Sequence, residues 1–164
     1  NDIMTSILKA VFSAWNWQVT DQSRGGRSAT YQERKTSQGG VGSRDIVLSN
    51  QSSQKVAIIE AFRLKHNYVE KSVVEEHLTK VFNYNPIGLA RTYILVYSEA
   101  SEFSGLWEKY INYLPKINFD FPIVLPVEDL TKEFNLSGVK VAKVIHEREG
   151  NEEEIFHIFL NFGS

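Results

Sequence analysis

The chain has no cysteine, a single methionine and only four prolines in 164 residues. Without thiols there can be no disulfide, no thiolate metal site and no cysteine nucleophile. Such a composition suits a reducing compartment, and a cytoplasmic location is expected. No run of apolar residues approaches the roughly 20 needed to span a bilayer, so no membrane partner is expected. Residues 1–19 alternate apolar and polar side chains and are not expected to act as a secretory leader. The sequence also lacks a Gly-x-Ser-x-Gly elbow, a P-loop and a dinucleotide fingerprint. Thiol chemistry, elbow-type serine hydrolysis and the common nucleotide loops are thereby set aside.

What is present is ordinary globular material, 42 % hydrophobic and 23 % charged, enough to build a core without covalent staples. One domain over 1–164 is expected. Because the chain opens with Asn1 rather than Met, it reads as a piece of a longer protein whose other domains would be its partners. The net charge of −2 conceals an uneven split. Residues 1–65 carry nine Lys and Arg against five Asp and Glu, whereas 66–164 carry nine against fifteen. The positive excess gathers at Arg24, Arg27, Arg34, Lys35 and Arg44, within a Gly-, Ser- and Gln-rich stretch. That stretch reads as a long loop, with a short strand near Tyr31, and is where a nucleic acid would be met.

Hydrophobic spacing predicts a first amphipathic helix over about 2–17. Two strands follow: Asp45-Ile46-Val47-Leu48, and a longer one over 56–64 that is apolar on both faces. Helices are expected over about 70–82 and 102–114, around a central strand at 92–97. A short edge strand at 123–127, a minor helix at 128–134 and a closing pair of strands at 139–147 and 154–162 complete the order. The predicted fold class is α/β (α+β), a central mixed sheet flanked by helices.

Two carboxylates stand out. Asp45 begins one strand and Glu60 sits among Ile58, Ile59, Ala61 and Phe62 on the next. A carboxylate in such a run costs several kcal/mol, on the order of the buried-charge penalty, unless something compensates it. Strands about 4.8 Å apart can bring both carboxylates to one point. A salt bridge from Arg63, Arg44 or Arg91, or capping of a helix, would compensate Glu60 without any chemistry. The four histidines are scattered, and His77, His146 and His157 are expected at the surface or satisfied in the core. The tryptophans are expected mostly in the core, with Tyr84 or Tyr113 available to a partner.

Over about residues 3–98 this arrangement resembles the restriction-endonuclease-like, or PD-(D/E)XK, superfamily. The resemblance rests on Arg44-Asp45-Ile46, on Ile59-Glu60-Ala61 and on the order helix, strand pair, helix, strand. It implies that Asp45 and Glu60 hold Mg²⁺ and that a lysine two residues after Glu60 activates water. Hard oxygen ligands suit Mg²⁺ on chemical grounds as well. The sequence departs from the pattern: Arg44 replaces a proline, the first helix has no interior acid, and Phe62 stands at the lysine position. Lys65, or Lys71 on the next helix, is the available substitute in space. Two functions are therefore expected in competition. One is a metal-dependent nuclease for DNA or RNA; the other is a non-catalytic recognition or accessory module of a larger protein. A filled, salt-bridged environment at Glu60 would favour the second.

Overall fold

A computed structural model describes residues 2–21, 46–85, 88 and 91–163 of the chain. In order these form α1 (Asp2–Ser13), β1 (Gln18–Asp21), β2 (Ile46–Ser49), β3 (Lys55–Leu64), α2 (Lys71–Tyr84), β4 (Arg91–Ser98), α3 (Phe103–Ile111), a 3₁₀ turn (Leu114–Lys116), β5 (Glu128–Asp129), α4 (Thr131–Phe134), β6 (Val139–Arg148) and β7 (Asn151–Asn161). The described strands form one seven-stranded mixed sheet in the order β1-β2-β3-β4-β7-β6-β5. The α+β architecture is as expected.

The sheet is antiparallel at both margins and parallel in the middle, where β3 pairs with β4 and β4 with β7. Parallel neighbours need a crossover, and α2 supplies it between β3 and β4. β2 and β3 are joined by a tight turn that Asn50 holds. Its Oδ1 accepts from the backbone N–H groups of Ser52 and Gln54, each at 3.0 Å. The resulting register sets Ile46 opposite Ile59 and Val47 opposite Ile58.

Strand alternation sorts β3 onto two faces. Ile58, Glu60, Phe62 and Leu64 turn toward α2 and α3, where the main core lies with Val74, Leu78, Leu106 and Phe159. Ala57 and Ile59 turn the other way and meet Leu8 and Phe12 of α1 in a smaller cluster. α2 buries Val74, His77, Leu78, Val81 and Phe82, the i, i+3, i+4, i+7, i+8 stripe of a core-facing helix. One position in that stripe is a histidine.

Several boundaries differ from expectation. α1 stops at Ser13 because the chain turns at Asn16, whose φ is +55°, and proceeds into β1. The expected strand at 123–127 reduces to one bridge from Ile123 to His146. Pro122 and Pro126 have no N–H to donate, and pairing resumes only at Glu128 and Asp129, opposite Lys143 and Ala142. The minor helix shortens to α4. Trp107 is buried, but Trp15 is 57 % exposed rather than in the core. The strand expected near Tyr31 lies outside the described residues.

Candidate functional site

Glu60 sits at the centre of β3 with no exposed surface. Its neighbour across the parallel pair is Ile94, itself fully buried. The compensation that a buried carboxylate requires comes from His77 of α2, whose Nδ1 makes a short hydrogen bond to Glu60 Oε1. His77 is 8 % exposed. Its ring stacks on Phe62, centroids 4.7 Å apart and planes 11° from parallel. The three side chains form a closed stack, with the carboxylate clasped by the imidazole and the imidazole covered by the phenyl ring. The Glu60 charge reaches Tyr84, whose hydroxyl pKa is raised by burial first and by that carboxylate second.

Neither of the two described candidates, Arg63 and Arg91, fills this role. Arg63 lies on the other face of β3 and pairs with Glu99 at 3.1 Å. Arg91 is exposed at the start of β4, and Arg44 is outside the described residues. The partner of Glu60 is a histidine that the sequence reading left unpaired. Its signal was position alone, since His77 falls three residues after Val74 and four before Val81 on the apolar stripe of α2.

The lysines proposed as substitutes do not gather around Glu60. Lys65 follows the end of β3 and is exposed, about 16 Å along an extended chain from residue 60. Its backbone N–H donates to Glu70 Oε2 at 3.1 Å. Lys71 begins α2 and lies over the Tyr113 ring, 5.4 Å from its centroid. Asp45 lies outside the described residues, as do Arg24, Arg27, Arg34 and Lys35. The β2–β3 pairing is described only as far as Ile46 opposite Ile59.

The resemblance implies Mg²⁺, which takes near-octahedral oxygen ligands. Glu60 Oε2 is buried and has no hydrogen-bond partner among the described residues, the one feature here that invites a further group. Against it, Oε1 and His77 Nδ1 are committed to each other. No group of three or more His, Asp or Glu side chains able to hold a metal occurs among the described residues. The described donors do not fit a Mg²⁺ site.

Two further polar clusters lie on the same side of the sheet. His157 of β7 is fully enclosed and hydrogen-bonds through Nδ1 to the Tyr110 hydroxyl at 2.8 Å. Burial depresses its pKa to about 3, with a smaller push from His146. His146 hydrogen-bonds through Nδ1 to the Phe121 carbonyl oxygen at 2.8 Å, and burial lowers its pKa too. Near the β6–β7 turn, Arg148 donates to the Asn85 carbonyl oxygen at 2.7 Å and approaches Glu153 at 3.4 Å. Asn85 Nδ2 donates to the other Glu153 oxygen at 2.9 Å.

Comparison with known proteins adds no family: no family model matches the chain, and neither does any curated protein or solved structure. Among the described residues no helix is long and apolar enough to cross a membrane.

Proposed function

We propose that this chain is a non-catalytic recognition or accessory module of a larger cytoplasmic protein, built on a restriction-endonuclease-like framework. The observation that carries the reading is the closed Glu60–His77–Phe62 stack. A metal-binding carboxylate must face phosphate and water, whereas this one has no exposed surface and is held by an imidazole. The position at which the resemblance asks for a water-activating lysine holds a buried phenyl ring packed on that imidazole. A mixed sheet flanked by helices is compatible with the framework, but fold alone does not carry function. Recognition then falls to surfaces. The basic stretch from Arg24 to Arg44 is proposed as the contact for nucleic acid, and the half-buried Tyr93, Phe156, Ile158 and Leu160 on the sheet face away from α2 and α3 as a contact for protein.

The test is cleavage. The full chain is incubated with labelled single-stranded and duplex DNA and RNA, with Mg²⁺ or Mn²⁺, beside a Glu60→Ala variant. Both are expected to leave every substrate intact. Metal-dependent cleavage that disappears in Glu60→Ala would overturn the reading in favour of a metal-dependent nuclease that needs Glu60.

A further inference from the structure

On the side of the sheet away from α2 and α3, α1 covers only the β1–β3 end, where Leu8 and Phe12 pack on Val19, Ile46, Leu48 and Ala57. Past it, Tyr93 of β4 and Phe156, Ile158 and Leu160 of β7 are half-buried with no described helix on them. A groove of about 1210 Å³ runs along this boundary, walled by Leu8, Phe12 and Trp17 and floored by Tyr93, Ile158 and Leu160. That exceeds the ~300–1,000 Å³ of most small-molecule sites. From Arg91 to the level of Tyr97, which pairs with Leu160, the floor is about 20 Å long. Strands about 4.8 Å apart make the β4–β7 strip as wide as one helix, about 10 Å.

The wall continues the apolar surface upward. On α1 the groove is lined by Leu8 and Phe12 but by neither Thr5 nor Lys9. The flank turned toward it is therefore the one on which Val11 and Ile7 neighbour Leu8. Both are about half-exposed. Floor and wall together make an apolar corner. A single acyl chain on the floor would leave Ile7 and Val11 bare. A helix seated about 8–10 Å from α1 meets both surfaces.

Charge narrows the occupant further. Among the described residues, the groove lining holds two cations, Lys55 and Arg91, and no carboxylate. Arg91 shares its face of β4 with Tyr93, and Lys55 reaches the same end across the register shift that leaves Val56 without a partner on β2. Neither makes an ion pair among the described residues. On the far side of the strip Lys143 of β6 is already paired with Glu128 at 2.7 Å. Glu154, level with Arg91 on β7, adds to the negative field on Lys143. None of these three lines the groove, whose own charge is positive and confined to the end where β3 and β4 begin. Residues 22–45 offer neither the charge nor the stripe to match it. They carry five Lys and Arg against two acids, with Ala29, Tyr31 and Val41 as their only apolar side chains besides glycine.

We infer that this groove receives an amphipathic helix of a partner protein, with about 13 residues in contact. Its apolar stripe lies on Tyr93, Ile158, Leu160 and Val11, and its acidic side chains face Arg91 and Lys55. The inference deepens the proposal that this sheet face contacts protein and rests on it, not on the absence of cleavage.

The probe is a stapled helical peptide of about 15 residues, with leucines at i, i+3, i+4 and i+7 spacing and glutamates in its first turn. Its binding to the full chain is followed by fluorescence anisotropy. Saturable binding is expected, weakened about tenfold when the glutamates are replaced by lysines. Arg91→Glu should reverse that preference, which damage to the fold would not do. Ile158→Asp should abolish binding, and Val11→Asp, at an exposed position, should weaken it about tenfold. Absence of saturable binding overturns the inference. So do equal affinities for the two peptides, indifference to Val11→Asp, or an unchanged preference in Arg91→Glu. Binding of oleate, or a two-chain mass in solution, with no binding of the peptide would give the groove to another occupant and overturn it too. Cleavage of nucleic acid by a protein that binds the peptide as described would overturn the non-catalytic reading and leave this inference standing.

Discussion

The closed and open faces of this sheet handle polarity in opposite ways. On the closed face, under α2 and α3, charged and polar side chains are mostly buried in pairs: Glu60 with His77, Tyr110 with His157 and Glu153 with Arg148 and Asn85. On the open face, Tyr93, Phe156, Ile158 and Leu160 of β4 and β7 are half-buried with no described helix on them, and Lys143 of β6 beside them pairs with Glu128. A carboxylate inside a core must be satisfied by a specific partner, whereas an apolar strip needs only something to cover it. The closed face is therefore set by pairwise geometry, and the open face by patch and rim.

The sharpest way to break this comparison is to strip a partner from the closed face. His77→Leu removes the hydrogen bond that satisfies Glu60 and leaves a buried carboxylate alone. Denaturant unfolding should show a loss of about 3–5 kcal/mol, the range for one partner of a buried pair. A loss below about 1 kcal/mol would place Glu60 in contact with water.

Acid should act next. His157 is held neutral in the folded protein with its pKa depressed to about 3, against an ordinary value of 6.5. Below pH 6.5 the unfolded chain binds a proton that the folded chain refuses. Stability from this group is full above 6.5 and lost progressively as pH falls toward 3, by about 1.4 kcal/mol per unit. His146, lowered in the same direction, steepens the loss. Between pH 6.5 and 5 a decline of about 2 kcal/mol from His157 alone is expected. Titrating the unfolding midpoint of wild type and His157→Gln checks this, and the variant should show the shallower slope.

The smallest effect is expected on the open face. Ile158→Thr, at low protein concentration, should change the stability of the isolated chain by less than about 1 kcal/mol, because the side chain already meets solvent. Leu78→Thr in α2 should cost about 2–4 kcal/mol by the cavity and buried hydroxyl it creates. Equal costs at the two positions would mean that the open face is covered within one chain.

The parts of this fold that could be read from sequence are those with strong local signals. β3 and β4 are apolar runs, α2 has a clean stripe, and Glu60 announced itself by standing among aliphatic neighbours. β1 escaped because Gln18-Val19-Thr20-Asp21 is short, mostly polar and at an edge. β5 escaped because its two residues are both acidic. The partner of Glu60 escaped for a different reason. His77 lies seventeen positions further along the chain, and nothing local says which helix turn will lie over which strand position. Arginine was the natural expectation for a carboxylate, and only packing of α2 on β3 could select an imidazole.

The central claim is that Glu60 and His77 form one closed structural unit, and a double-mutant cycle at this pair measures it most directly. Unfolding free energies are needed for Glu60→Leu, His77→Leu and the two combined. The account predicts that His77→Leu is the costlier single change, and that the combined variant regains at least about 2 kcal/mol of that loss, because an apolar pair can replace a buried hydrogen-bonded pair. Costs that simply add, or a Glu60→Leu protein more stable than wild type, as expected of a carboxylate held in reserve for catalysis, would contradict it.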